Sequence, residues 1–222
     1  MSRFLKSAAF VLAAALLLGV SAGRANAATI LHSGQTVDGW KISFPAGVQL
    51  VSDDGKLKLE KFAAFTNTEG FVITFTQVSY TAGSVVNFVN ESLTNVSGET
   101  WSGFQHLLLN TLPGNAPDAK FTSAFGPTPD SFFTHVTLTD DVITHDGGLV
   151  QDTDTIKFGF GAEGGDMMIA ANPATSGMKK VFSLKEVPIV GVPLPAAVWS
   201  GLSSLLGLGL AAHGKRIKKA LA

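Results

Sequence analysis

The sequence predicts an all-β domain, an antiparallel β-sandwich of jelly-roll-like or immunoglobulin-like type, with one apolar helix before it and one after it. Three observations predict this. Between Ala28 and Val190 the apolar residues recur with period two, which puts one set of side chains on a core face and the other toward solvent. Thr, Val and Phe, the residues that fit a pleated half-buried surface, are abundant there. Gly, Asn, Asp and Pro break the runs about every eight to twelve residues, the spacing of turns in a sandwich. The runs amount to about ten strand candidates, with no convincing amphipathic helix among them.

The elements follow in chain order. Residues 1–27 read as a secretory signal peptide: Arg3 and Lys6 in front, an apolar run from Ala8 to Val20, then Ala25-Asn26-Ala27 as an A-x-A cleavage site. The apolar run is short for a membrane span. The β domain is expected over 28–187. Leu57 and Leu59 alternate with Lys56, Lys58 and Glu60, and Phe71, Ile73 and Phe75 alternate with Val72, Thr74 and Thr76. Val85 to Leu93 reads as a strand, Asn95-Val96-Ser97-Gly98 as a turn, and Phe104 to Thr111 as the strand returning beside it in a hairpin. Trp101, Phe104, Leu108 and Leu112 would also fit a helix face, but the strand before them favours strand. Pro113 to Pro129 reads as a long loop carrying one strand, Lys120 to Phe125. Ile156, Phe158 and Phe160, then Phe182 and Leu184, complete the alternating runs.

Residues 188–195 read as a linker, because Pro193 and Pro195 fix an extended strip that cannot join a helix. Residues 196–222 form the last segment. Ala196 to Ala212 carries no charge and is about long enough to cross a hydrocarbon core. Its leucines at 202, 205, 206, 208 and 210 go round the helix rather than along one stripe. Lys215, Arg216, Lys218 and Lys219 follow at once, a basic cluster that holds this end in the cytoplasm and leaves the domain outside.

Charge is segregated in the same way. The whole chain sums to −1, but all 17 acidic residues lie between Asp38 and Glu186. Nine lysines in that stretch minus 17 acidic residues leave −8, and the other seven basic residues sit at the ends. An acidic domain repels phosphate backbones, which excludes nucleic acid as a partner. The chain has no cysteine, so a disulfide framework, a thiolate nucleophile and cysteine-ligated zinc are excluded.

Val192-Pro193-Leu194-Pro195-Ala196, an apolar span and a basic end stand in that order. Together they resemble the PEP-CTERM class of bacterial sorting signals, in its VPLPA-CTERM variant. The motif lacks the glutamate of the commoner Pro-Glu-Pro form. The resemblance covers about the last thirty residues, a length that one span and its flanks occupy. It implies an exported protein of a Gram-negative bacterium, handled by the secretion translocon, signal peptidase and an exosortase. It also implies a precursor held in the inner membrane and then released or attached at the cell surface, in association with exopolysaccharide. A second segment, Asn87 to Leu109, with Asn95-Val96-Ser97-Gly98, Trp101, Phe104, Leu108 and Leu109, is similar to a stretch recurring in exported PEP-CTERM proteins and carries no activity with it.

Chemistry is harder to find. The histidines at 32, 106, 135, 145 and 213 form no H-E-x-x-H or H-x-H pattern, and no G-x-S-x-G elbow is present. The chain therefore reads as non-enzymatic and cofactor-free, with a secreted hydrolase as the last alternative. Asp140, Asp141, Asp146, Asp152 and Asp154 crowd a turn-rich region and are calcium candidates, since Ca²⁺ takes several loop oxygens. Gly161-x-x-Gly164-Gly165-Asp166 is similar to one calcium-binding nonapeptide, but such sites need stacked repeats, and a hairpin turn is the expectation here. Trp40, Trp101 and Tyr80 could supply flat rings for stacking sugars, the basis of a lectin-like alternative.

Overall fold

The computed structural model describes residues 28–53, 55–110, 118–160 and 164–191. Fourteen strands lie in these residues, with a single 3-10 turn at Pro129–Ser131. The strands are β1 (Ala28–Ile30), β2 (Gln35–Val37), β3 (Trp40–Ser43), β4 (Val48–Asp53), β5 (Lys58–Phe65), β6 (Phe71–Gln77) and β7 (Val85–Asn95). They continue with β8 (Trp101–Asn110), β9 (Ala119–Ser123), β10 (His135–Leu138), β11 (Val142–Val150), β12 (Thr155–Phe158), β13 (Met167–Ala171) and β14 (Val181–Val190).

Two seven-stranded sheets result. The first runs β1-β4-β5-β7-β13-β9, with β12 also on β7, and the second runs β10-β11-β8-β14-β6-β3-β2. Both sheets turn their apolar face to one core. Leu50, Leu59, Phe88, Ile156 and Ile169 come from the first sheet, and Ile42, Ile73, Phe75, Phe104 and Phe182 from the second, all fully buried. The predicted alternation is therefore real: β4 and β5 bury every second residue along their length. Hairpins close by local turn chemistry. Asp38-Gly39 joins β2 to β3 with both residues at positive φ, the two-residue turn whose twist matches the strands.

The structure departs from the sequence expectation at four places. The pairing is antiparallel throughout these ladders except between β5 and β7, which run parallel. Next, β7 and β8 are both strands but do not pair. The chain leaves β7 in the first sheet and enters β8 in the second, so the expected hairpin is an arch between sheets. Buried Asn95 braces that arch: its side-chain nitrogen donates to the carbonyls of Glu99 and Gln151 at 2.7 and 3.1 Å, and its Oδ1 accepts from Ser97 N–H and Oγ–H at 3.1 and 2.7 Å. On β8 the rings of Trp101 and Phe104 pack in the core against Phe65, at 5.3 and 5.4 Å.

Third, the Gly164-Gly165-Asp166 segment is not a hairpin turn. β12 pairs with residues 91–94 of β7 and β13 with residues 85–88, both antiparallel, so they are two parts of one line along β7. Finally, β14 runs to Val190, past the expected linker boundary at 187. Beyond Glu186 it has β8 on one side and no further pairing with β6 on the other. On that side Pro188 has no ladder partner among the described residues, where a missing N–H is tolerated.

The signal segment (1–27), the sorting motif (Val192–Ala196) and the apolar tail lie outside the described residues. Among the described residues no helix is long and apolar enough to cross a membrane.

Candidate functional site

Inside the sandwich the core is not wholly apolar. Lys61, Glu91, His106, His145 and Glu186 are all completely buried. Five ordinary strands carry them. Lys61 follows Leu59 on the inward face of β5, with buried Leu57 just before the strand. Glu186 follows Phe182 and Leu184 on β14. His106 stands between Phe104 and Leu108 on β8, and His145 follows Ile143 on β11. Glu91 has a further cause. Phe88 is inward on β7, so strict alternation would turn Asn90 inward. A bulge shifts the register between Leu59 and Glu60 of β5, pairing Phe88 and Asn90 with adjacent residues, and this brings Glu91 inward.

The Lys61 ammonium reaches both carboxylates. It donates to Glu91 Oε1 at 2.6 Å and is in direct contact with Glu186 Oε1. Glu91 Oε2 lies 3.0 Å from His106 Nε2. Rings of Phe88 and Phe71 flank the ammonium at 5.3 and 5.8 Å. The His145 ring packs on Phe158 at 4.5 Å and edge-on to His106 at 5.4 Å. Among the described residues, both ring nitrogens of His145, His106 Nδ1 and Glu186 Oε2 have no hydrogen-bond partner.

Burial governs the protonation states. It pushes both glutamates above the usual carboxylate range, against the pull of Lys61, and for Glu186 the neighbouring Glu91 adds to the rise. Burial lowers His106 to about 3, with Glu186 opposing and Lys61 adding to the fall. His145 falls to about 2, by burial and then by His106. Both imidazoles are therefore neutral near pH 7. A neutral His106 with a carboxylate on Nε2 carries its proton there and donates it; this tautomer follows from the partner. One ammonium beside two carboxylates would leave a buried net charge of −1. The raised carboxyls relieve it by keeping one proton between them.

Glu91, His106 and Glu186 hold ligand-type atoms within 4.8 Å of one another, a geometry that can hold a metal ion. Lys61 already stands between the two carboxylates, so a metal would have to displace it. With every member buried, the groups face one another rather than a dissolved substrate.

The residues singled out from sequence fall elsewhere. Trp40 and Trp101 are completely buried, their indole N–H groups bonded to Gly83 O at 2.8 Å and Ser97 Oγ at 3.2 Å. Neither can present a ring face, so the sugar platform does not form from them. Tyr80 is exposed, with Lys179 over its ring at 5.3 Å. The five aspartates are not gathered. Asp140 and Asp141 sit in the β10–β11 turn and Asp146 faces His135 across that ladder. Asp152 and Asp154 lie past the far end of β11, about 30 Å of strand away. There they accept from the backbone N–H groups of Gly98 and Gln151 at 3.0 and 2.8 Å. His32 and His135 are at the surface.

No family model, no curated protein and no solved structure matches the chain.

Proposed function

We propose that the chain is the precursor of an exported bacterial envelope or extracellular-matrix protein, non-enzymatic, sorted by an exosortase and associated with exopolysaccharide. The observation that carries the reading is the order of parts in the sequence: Ala25-Asn26-Ala27 directly after a basic start and an apolar run, and Val192-Pro193-Leu194-Pro195-Ala196 directly before an apolar run and a basic end.

The charge distribution supports it too. The folded unit carries the −8 balance, while the positive excess lies in the two segments that direct membrane insertion. The non-enzymatic reading is supported by the site, because the groups with displaced titration are sealed in the core. The partners are the translocon, signal peptidase and exosortase, and the precursor waits in the inner membrane with its domain outside. The jelly-roll-like or immunoglobulin-like class and the two flanking helices belong to the same proposal.

Replacing Pro193 and Pro195 by alanine tests the sorting step. The double variant should keep its tail and remain in the inner-membrane fraction, while the unaltered chain loses the tail. Normal removal of the tail from the variant would overturn the reading of Val192–Ala196.

A further inference from the structure

We propose that Lys61 and Glu186 become joined by an amide bond between Lys61 Nζ and Glu186 Cδ, formed inside the core with Glu91 as the proton carrier. The bond would tie β5 of one sheet to β14 of the other, across 125 residues of chain. It is independent of the export proposal.

Three features carry this. First, the reacting groups are already together: Lys61 Nζ contacts Glu186, and the same nitrogen donates to Glu91 at 2.6 Å. Holding two reactants in contact removes most of the entropic barrier of a bimolecular condensation. Second, the surroundings exclude water. All three side chains are fully buried and the nitrogen lies between Phe88 and Phe71. An amide in that place cannot readily hydrolyse. Third, condensation replaces a buried cation and a buried acid by a neutral amide. It thereby removes the desolvation cost that a buried charge carries.

The step balances. Lys61 ammonium gives a proton to the Glu91 carboxylate and becomes an amine. Its lone pair attacks Cδ of the neutral Glu186 carboxyl, forming the N–C bond. Glu91 delivers its proton to the departing hydroxyl, the C–O bond breaks and water leaves. Glu91 then takes the surplus proton from nitrogen. The products are the amide, one water and neutral Glu91, with no oxidant or activated leaving group required. The burial-raised carboxyl of Glu186 suits the electrophile, since attack needs the acid rather than the carboxylate. His106 holds the other oxygen of Glu91, leaving Oε1 turned to Lys61. The chain has no cysteine, so no disulfide can supply such a tie.

Peptide mapping of the full chain by mass spectrometry tests the proposal. The expected product is a linked pair of tryptic peptides containing Lys61 and Glu186, lighter than their sum by one water, with no cleavage after Lys61. Glu186→Ala removes the acceptor carbon and should give separate peptides. Glu91→Gln keeps both reacting residues and should give separate peptides with an unchanged β circular-dichroism spectrum. The unaltered chain decides the bond whatever the variants do. If it yields only separate peptides, cut after Lys61, the cluster is an ion-pair network and the proposal fails. Linkage persisting in Glu91→Gln would remove Glu91 from the step.

Discussion

An ammonium moved from water into an aromatic core is tolerated only with carboxylates around it, and Lys61 has two. Removing one partner of such a set leaves uncompensated buried charge. Lys61→Ala should therefore destabilise the domain by about 3–5 kcal/mol, read as a fall in the urea midpoint. A change within experimental error would mean that the cluster is not sealed. His145 makes the opposite case. Its ring nitrogens have no partner among the described residues and it packs on Phe158 and Phe133. His145→Phe should be neutral or stabilising near pH 7, because two unsatisfied buried groups disappear. Folded His145 titrates at about 2 and the unfolded residue at 6.5, so below 6.5 the unfolded chain takes up the proton and stability is lost. The advantage of His145→Phe should widen by about 1.4 kcal/mol per pH unit as pH falls from 6.5. Equal pH profiles for the two proteins would contradict a neutral buried His145. These residues were partly legible in the sequence. Lys61, His106 and Glu186 each continue the inward parity of a run that can be read in the sequence, and a polar residue in that position is a flag; no such run marks His145. Glu91 was not legible, because the β7 bulge reverses its parity.

At the scale of elements, periodicity identified strands well and their partners poorly. Alternation in Phe71–Gln77 or Val181–Lys185 depends on one chain segment and one core, so it can be read locally. Whether β8 folds back on β7 or crosses to the opposite sheet depends on Asn95, whose bonds reach Gln151 in another turn. Asn95→Ala should cost roughly 1–3 kcal/mol by leaving those carbonyls unsatisfied; an unaltered thermal midpoint would show that the arch does not need it. Gly70 governs the approach of β6 to β14. It has φ +77, and a Cβ there would stand 1.9 Å from the backbone oxygen of Glu186. Gly70→Ala should cost more than the roughly 1–2 kcal/mol of the left-handed conformation alone. It should also disturb the cluster through the backbone of Glu186. A loss confined to the conformational cost would show that β14 yields freely.

For the whole molecule, two sheets carry a −8 balance around a core that buries Lys61, Glu91, His106, His145 and Glu186. The five calcium candidates lie at opposite ends of β11 and near its middle, so calcium should leave the melting temperature unchanged with or without EDTA. A rise with calcium concentration would reveal a site by mass action. If both ends are processed as proposed, terminal mass mapping of the protein recovered outside the inner membrane of its own cells should find an N-terminus at Ala28 and a chain that lacks residues 196–222. A recovered chain that still begins at Met1 and ends at Ala222 would overturn the proposal.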